Sequence, residues 1–305
     1  MSKRPIILDT DPGVDDACAI TVALNNPNLD VRLISTMAGN VDATKTCTNA
    51  LKLVQFFDKD VPVAKGAERP LLVKYYDASN VHGESGMDGY EFPELDREPV
   101  EDTAVEAIYK TLMESDEKIT LVPTGAMTNI ALLLKEHPDA KEKIEEIVFM
   151  GGSLSAGNVT SVAEFNMYSD PHAAQIVMES GLPITMIGLD VTLKAIIDQE
   201  SVAKLDDLGE TGHMLHSILS NYKDLQADGG LPMHDVCAVF YLLHPEKVET
   251  KDHYIKVACD LPARGATIAD IQHRYHDENN VTCGVNIDRQ AFVDWFMDCI
   301  DKIEK

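Results

Sequence analysis

Four carboxylates stand within a few residues of one another near the start of the chain: Asp9, Asp11, Asp15 and Asp16, in the run Ile6-Ile7-Leu8-Asp9-Thr10-Asp11-Pro12-Gly13-Val14-Asp15-Asp16. Like charges held that close repel by about 1–4 kcal/mol per pair, depending on the effective dielectric. A fold tolerates such a cluster if one member is protonated, if helix N-terminal amides absorb charge, or if a metal sits among them. Oxygen-only ligands call for a hard cation, Ca²⁺ or Mg²⁺. The competing explanation has Asp15 and Asp16 merely capping a helix while Asp9 and Asp11 occupy a turn. Four carboxylates behind an apolar strand, with Pro-Gly in their midst, favour a site. An EF-hand counted from Asp9 is excluded, because its Gly and Glu positions hold Val14 and Ile20.

Further polar clusters recur along the chain. They are Ala38-Gly39-Asn40, then Pro123-Thr124-Gly125-Ala126-Met127-Thr128-Asn129, then Asn158 and Ala163-Glu164-Phe165-Asn166 beyond Gly151-Gly152. Each offers amides or carbonyls suited to hydroxyl groups. Leu231-Pro232-Met233-His234-Asp235 adds a His-Asp pair after a Gly-Gly break. His234 there is a packing or capping residue, or a general acid beside a metal ligand. Residues 73–99 lack periodicity and contain Val81-His82-Gly83-Glu84-Ser85-Gly86-Met87-Asp88-Gly89. Loops that long tend to be lids or binding loops.

The elements that must position these residues alternate. Apolar, β-branched runs at 6–8, 31–37, 61–64, 119–122, 147–150 and 184–189 predict strands. Helical spacing falls between them at 15–24, 44–57, 103–114, 129–136 and 171–179. Such alternation predicts an α/β fold with a mostly parallel, Rossmann-like central sheet flanked by helices, and a site at the carboxyl edge of the strands. Beyond it, helices are expected at 199–208, 212–226, 235–243 and 289–303, with a hairpin-like stretch near 254–257 and 281–286. No linker, repeat or low-complexity tract interrupts the chain, so one domain over residues 1–305 is expected.

Twenty-six basic against 51 acidic residues give a net charge of −25, which opposes binding to nucleic acid and to anionic lipid surfaces. A neutral substrate, or one bound through a cation, fits better. The six cysteines contain no C-x-x-C pair and read as reduced core residues of a cytoplasmic protein. No apolar run approaches the ~20 residues of a membrane span, and no signal peptide is expected.

Taken together, these motifs resemble the inosine-uridine preferring nucleoside hydrolase family, nearest to its non-specific ribonucleoside branch. Asp-x-Asp-Pro-Gly-x-Asp-Asp at Asp9 to Asp16 is followed, in the family's order, by Ala-Gly-Asn, Thr-Gly-x-x-Thr-Asn, Ala-Glu-Phe-Asn and His-Asp. The resemblance implies a Ca²⁺ ion held by Asp11, Asp16, Asp235 and the Thr124 carbonyl. It implies hydrolysis of the N-glycosidic bond of purine and pyrimidine ribonucleosides, with water at the ion activated by Asp11 and inversion at the anomeric carbon. Asp15 and Asn166 would hold the 2′-hydroxyl, Asn166 and Asp235 the 3′-hydroxyl, and Asn158 and Glu164 the 5′-hydroxyl, with Asn40 in support. His234, or His82 from the long loop, would protonate the departing base. Tyr222 and Gln226, one turn apart on the helix before the Gly-Gly break, would touch it. The family's members are commonly homotetramers or dimers, which implies a homo-oligomer.

Two other readings remain at this point. A Mg²⁺-dependent aspartyl-phosphate phosphatase would use Asp9 as nucleophile with Lys135 or Lys194, although Gly13 departs from that pattern. A catalytically silent nucleoside- or calcium-binding protein would keep the fold without turnover.

Overall fold

In the first strand, β1 (Arg4–Thr10), Ile6 and Leu8 face one core layer and Ile7 the other. Burial on both faces requires a strand in the middle of a covered sheet. The computed structural model describes residues 3–222, 229–274 and 276–305. Among them, β1 is joined by β2 (Leu29–Thr36), β3 (Val63–Lys65), β4 (Ile119–Pro123), β5 (Ile144–Met150) and β6 (Ile184–Ile187). Later come β7 (Ile196–Asp198), β8 (Gly230–Pro232), β9 (Val248–His253), β10 (Ile255–Val257), β11 (Thr267–Ala269) and β12 (Val281–Ile287).

Eight strands form the central sheet in the order β3-β2-β1-β4-β5-β6-β12-β9, parallel except for β9 at one edge. Its helices are α1 (Val14–Asn25), α2 (Ala43–Phe56), α3 (Ser79–His82), α4 (Ala104–Glu114), α5 (Thr128–Glu136) and α6 (Phe165–Ser169). They continue with α7 (Pro171–Met178), α8 (Leu189–Thr192), α9 (Gln199–Leu205), α10 (Gly209–Leu219), α11 (Val236–Leu243) and α12 (Arg289–Asp301). Residues of α1, α2, α10, α11 and α12 fill one core layer with Ile6 and Leu8; those of α4, α5 and α7 fill the other with Ile7. The expected α/β architecture is therefore the one observed.

The chain builds outward from β1 through β2 and β3, then returns to β4 on the other side. The strand order thus reverses between β1 and β4, where the loops leaving the carboxyl ends diverge and open a crevice. Asp9 lies level with Ser35 of β2 and Pro123 of β4, so Asp11, Asn40 and Thr124 all follow strand ends at this one place.

Two expectations need correction, and one strand was not expected. Residues 254–257 and 281–286 do not pair: β10 pairs with β11, whereas β12 enters the main sheet between β6 and β9. The sequence Val-Glu-Thr-Lys-Asp-His of β9 gave no strand signal because an exposed edge strand has little to bury. The helix expected through residue 226 ends at Leu219, so Tyr222 lies beyond it rather than on it. Ser220 and Asn221 bond back to the carbonyls of His216 and Ser217, and such side chains compete with further helix. Gln226 lies outside the described residues.

Among the described residues no helix is long and apolar enough to cross a membrane. All six cysteines are free thiols, four of them buried.

Candidate active site

Asp11 follows β1 directly, and Pro12-Gly13 then turns the chain into α1. One oxygen of its carboxylate, Oδ2, accepts the Asn40 N–H at 2.7 Å. The other, Oδ1, is buried with no hydrogen-bond partner. Two glycines make this position available. A Cβ on Gly39 would lie 1.9 Å from Asp11 Oδ2, and one on Gly125 would lie 2.5 Å from Oδ1. The glycines of Ala-Gly-Asn and Thr-Gly thus form the two walls of a slot for one carboxylate. Sequence reading took those clusters for their amides and carbonyls and missed this steric role. The recurrence of Gly directly after strand ends was the available signal.

Asp16 is held by four donors: Thr10 Oγ1 at 2.5 Å, Thr124 Oγ1 at 3.1 Å, and Gly13 N and Asn40 Nδ2 at 3.0 Å each. Asp15, beside it in the first turn of α1, and Asp235, at the start of α11, complete the cluster. One carboxylate oxygen from each of Asp15, Asp16 and Asp235 lies within 4.8 Å of the other two. Burial raises the pKa of Asp11 well above the ordinary carboxylate range, and the charge of Asp16 adds to it. Burial likewise raises Asp235, reinforced by Asp15, Asp16 and Asp11. Asp15 is also raised by burial and by Asp16, while His82 and His234 oppose the shift.

A divalent cation removes this conflict, since it compensates the desolvated charges. The donor set is all oxygen, and the partnerless Oδ1 of Asp11 is an acceptor waiting for one, so the residues fit a hard cation. The Thr124 carbonyl accepts Asn166 Nδ2 at 2.7 Å and keeps a second lone pair.

Asp15 and Asp235 of the cluster line a cleft of about 200 Å³, together with Asn40, Thr124, Asn158, Glu164, Asn166, Tyr222, His82 and His234. Glu164 caps the short helix α6, accepting Asn166 N at 2.9 Å, Met167 N at 3.2 Å and Gly152 N at 2.9 Å. A carboxylate has about four lone-pair sites, so three are spent on backbone and one remains for a ligand hydroxyl. Asn166 spends its Nδ2 on the carbonyls of Thr124 and Met150, which leaves Oδ1 as its acceptor. Asn40 is committed to Asp11 and Asp16 through both its backbone and side-chain nitrogens.

Two histidines enter the cleft from different elements. The Val14 N–H at the start of α1 donates to His82 Nδ1 at 3.1 Å, so the proton of this imidazole resides on Nε2. The long loop is stapled in place: Asn49 Nδ2 bonds both the Pro12 carbonyl at 2.9 Å and the Ser85 carbonyl at 2.8 Å. Tyr222 packs its ring 5.5 Å from that of His82. His234 Nδ1 lies 2.7 Å from Thr192 Oγ1, which ties the His-Asp turn to α8.

The family described as inosine-uridine preferring nucleoside hydrolase matches residues 6–294. The chain belongs to this family. It is similar to a non-specific ribonucleoside hydrolase of Klebsiella pneumoniae, 46% identical over 98% of both chains. A non-specific ribonucleoside hydrolase of Escherichia coli is 45% identical over 96% of this chain and 97% of its own. Among solved structures, a purine-preferring ribonucleoside hydrolase from Gardnerella vaginalis superposes with a TM-score of 0.92 at 33% identity, covering 98% of this chain and 99% of that one.

As a nucleoside hydrolase, the chain is an enzyme that cleaves the N-glycosidic bond of ribonucleosides. The phosphatase alternative is overturned by this membership and by the site. Asp9, its required nucleophile, is fully buried and accepts Ser35 Oγ at 2.6 Å and Asn129 Nδ2 at 2.8 Å. Burial lifts its pKa to about 7, opposite to what a nucleophilic carboxylate needs. Lys194 is spent on the Val285 carbonyl and Asn286, and Lys135 is exposed on α5; neither lines the cleft. In this nucleoside hydrolase Asp9 instead joins the ends of β1 and β2 to Asn129 of the Thr-Gly-x-x-Thr-Asn motif.

Proposed function

We propose that this nucleoside hydrolase acts on both purine and pyrimidine ribonucleosides, releasing ribose and free base with inversion and with Ca²⁺ as its metal. The observation that carries the reading is the Asp11 carboxylate, slotted between two glycines with one oxygen anchored and the other buried and partnerless. Asp11, Asp16, Asp235 and the Thr124 carbonyl would hold the ion. A bound divalent cation lowers the pKa of a water in its shell toward neutrality.

Asp11 accepts the proton of the attacking water, and a C–O bond forms at the anomeric carbon as the C–N bond to the base breaks. Attack from the side opposite the base, with no covalent intermediate, inverts that carbon. Asp15 and Asn166 hold the 2′-hydroxyl, Asn166 and Asp235 the 3′-hydroxyl, and Asn158 and Glu164 the 5′-hydroxyl, with Asn40 fixing the carboxylates beneath. Positive charge growing on the ribose is met by buried carboxylates, which favours the oxocarbenium-like transition state over the substrate.

The departing base takes a proton from His234, the first candidate for the acid, with His82 as the second. Because Nδ1 of His82 accepts the Val14 N–H, His82 is neutral in this arrangement and offers Nε2–H as a hydrogen-bond donor to the base; acting as the acid would require it to give up that bond and become an imidazolium. Tyr222 and Gln226 belong beside the base in this reading. The reading extends to a single domain and to a cytoplasmic homo-oligomer, dimer or tetramer; one sheet shared by both core layers and six free thiols support the first two points.

The test is release of reducing sugar from inosine, uridine and cytidine without phosphate, with and without a Ca²⁺ chelator. Sugar release that stops on chelation and returns with Ca²⁺ is expected. Folded, Ca²⁺-loaded protein that releases no sugar from any of the three, yet binds them, would favour a silent binding protein instead.

A further inference from the structure

The segment carrying His82 also carries, six residues earlier, a cleft residue that the proposed chemistry does not use. Tyr76 lines the cleft although its side is 49% exposed. It is fastened on both sides. Tyr75 Oη donates to the Gly39 carbonyl at 3.3 Å, and the Ala78 N–H donates to the Asn40 carbonyl at 3.1 Å. Those two carbonyls belong to the turn that walls and anchors Asp11, so the segment and the carboxylate are tied to the same turn.

At its tip, the Tyr76 ring lies 6.4 Å from Phe165 and 6.0 Å, edge-on, from Tyr168. Tyr168 is itself backed by Arg264, whose guanidinium lies 3.7 Å above the ring. Phe165 stands between Glu164 and Asn166 on α6. One end of the segment therefore sits at the Glu164 end of the cleft, and the other places His82 against Tyr222. The aromatic contacts with Phe165 and Tyr168 place the Tyr76 ring beside the Glu164 end of the cleft.

We propose that Tyr76 is a specificity-determining residue that closes the 5′ end of the ribose site and excludes ribonucleosides with a bulky 5′ substituent. The inference rests on the assignment of Glu164 and Asn158 to the 5′-hydroxyl. An added thioether at that carbon meets the ring and its aromatic backing, whereas loss of the hydroxyl alone does not.

The probes are inosine, 5′-deoxyinosine and 5′-deoxy-5′-methylthioinosine, read as kcat/KM for the wild type, Tyr76→Ala, Tyr76→Leu and Tyr76→Phe. Comparing the thioether with 5′-deoxyinosine isolates added bulk from the missing hydroxyl. Tyr76→Ala and Tyr76→Leu should raise that ratio by about tenfold or more, the scale at which pockets discriminate by size, while Tyr76→Phe keeps the wild-type ratio. A wild type that hydrolyses both 5′-modified probes equally overturns the proposal, as does a ratio that stays constant while both rates fall in the variants. Glu164→Gln tests the parent assignment separately: if it lowered kcat/KM on inosine no more than on 5′-deoxyinosine, Glu164 would not hold the 5′-hydroxyl and the parent assignment would fall instead.

Discussion

Gly39→Ala isolates the slot around Asp11, because it adds one methyl group and no charge. The Gly39 backbone is outside the left-handed region, so alanine brings no conformational strain there. In open space the change would stabilise the fold by about 0.4–1 kcal/mol through the unfolded chain. Here the new carbon would stand 1.9 Å from Asp11 Oδ2, where ordinary contact begins at 3.4 Å. The carboxylate or the turn must then retreat by about 1.5 Å. That displacement breaks the 2.7 Å bond from Asn40 N–H, and a hydrogen bond to a charged group contributes about 1.5–3 kcal/mol. Stability should fall by a few degrees in Tm at most, while kcat/KM should fall by about 10²-fold, the scale of an ångström misplacement of a catalytic group. Steady-state hydrolysis of inosine, Ca²⁺ titration by calorimetry and thermal melts on the same preparation read all three. A Gly39→Ala enzyme with wild-type kcat/KM and wild-type Ca²⁺ affinity would refute the slot. Gly125→Ala approaches the same carboxylate from Oδ1 and should behave alike.

Asp11→Asn keeps the shape and loses the base, so kcat on inosine should drop by at least about 10²–10⁴-fold; its melting temperature in chelator should rise, because a buried repelling charge is gone, and a fall would count against that account. His234→Ala should cost kcat on inosine and uridine far more than on an aryl riboside whose phenolate departs unprotonated; equal losses on both would dismiss His234 as the acid. Asn49→Ala removes the bridge from the Pro12 carbonyl to the Ser85 carbonyl of the His82 loop, so amide exchange across residues 79–88 should accelerate and kcat/KM should fall; unchanged exchange there means the staple does not hold the loop.

How far the site was readable depended on whether a residue acts locally or across the fold. The run from Asp9 to Asp16 is local: a strand, a Pro-Gly turn and a helix start place its carboxylates whatever the rest of the chain does, so it was legible at once. The alternation of strands and helices was equally legible, because periodicity follows from burial on two faces of a sheet. Asn40, Thr124, Glu164 and Asn166, which line the cleft, were legible because each follows a strand end or opens a helix. Tyr222 was set on a helix that ends three residues earlier, since serine and asparagine at its close look like ordinary helix surface in a sequence. The edge strand β9 was missed because polar, exposed residues carry no period.

Short-range chemistry in the sequence was enough for the alternation of strands and helices through β6, the carboxylate cluster and its demand for a counter-charge. Tertiary structure alone decided that Gly39 and Gly125 meet across Asp11, that the Val14 amide sets the tautomer of His82, and that Tyr76 faces Phe165. Each of these joins residues far apart in the chain. Their contact depends on strands brought side by side by a core that excludes water, and no local pattern encodes distances of that kind.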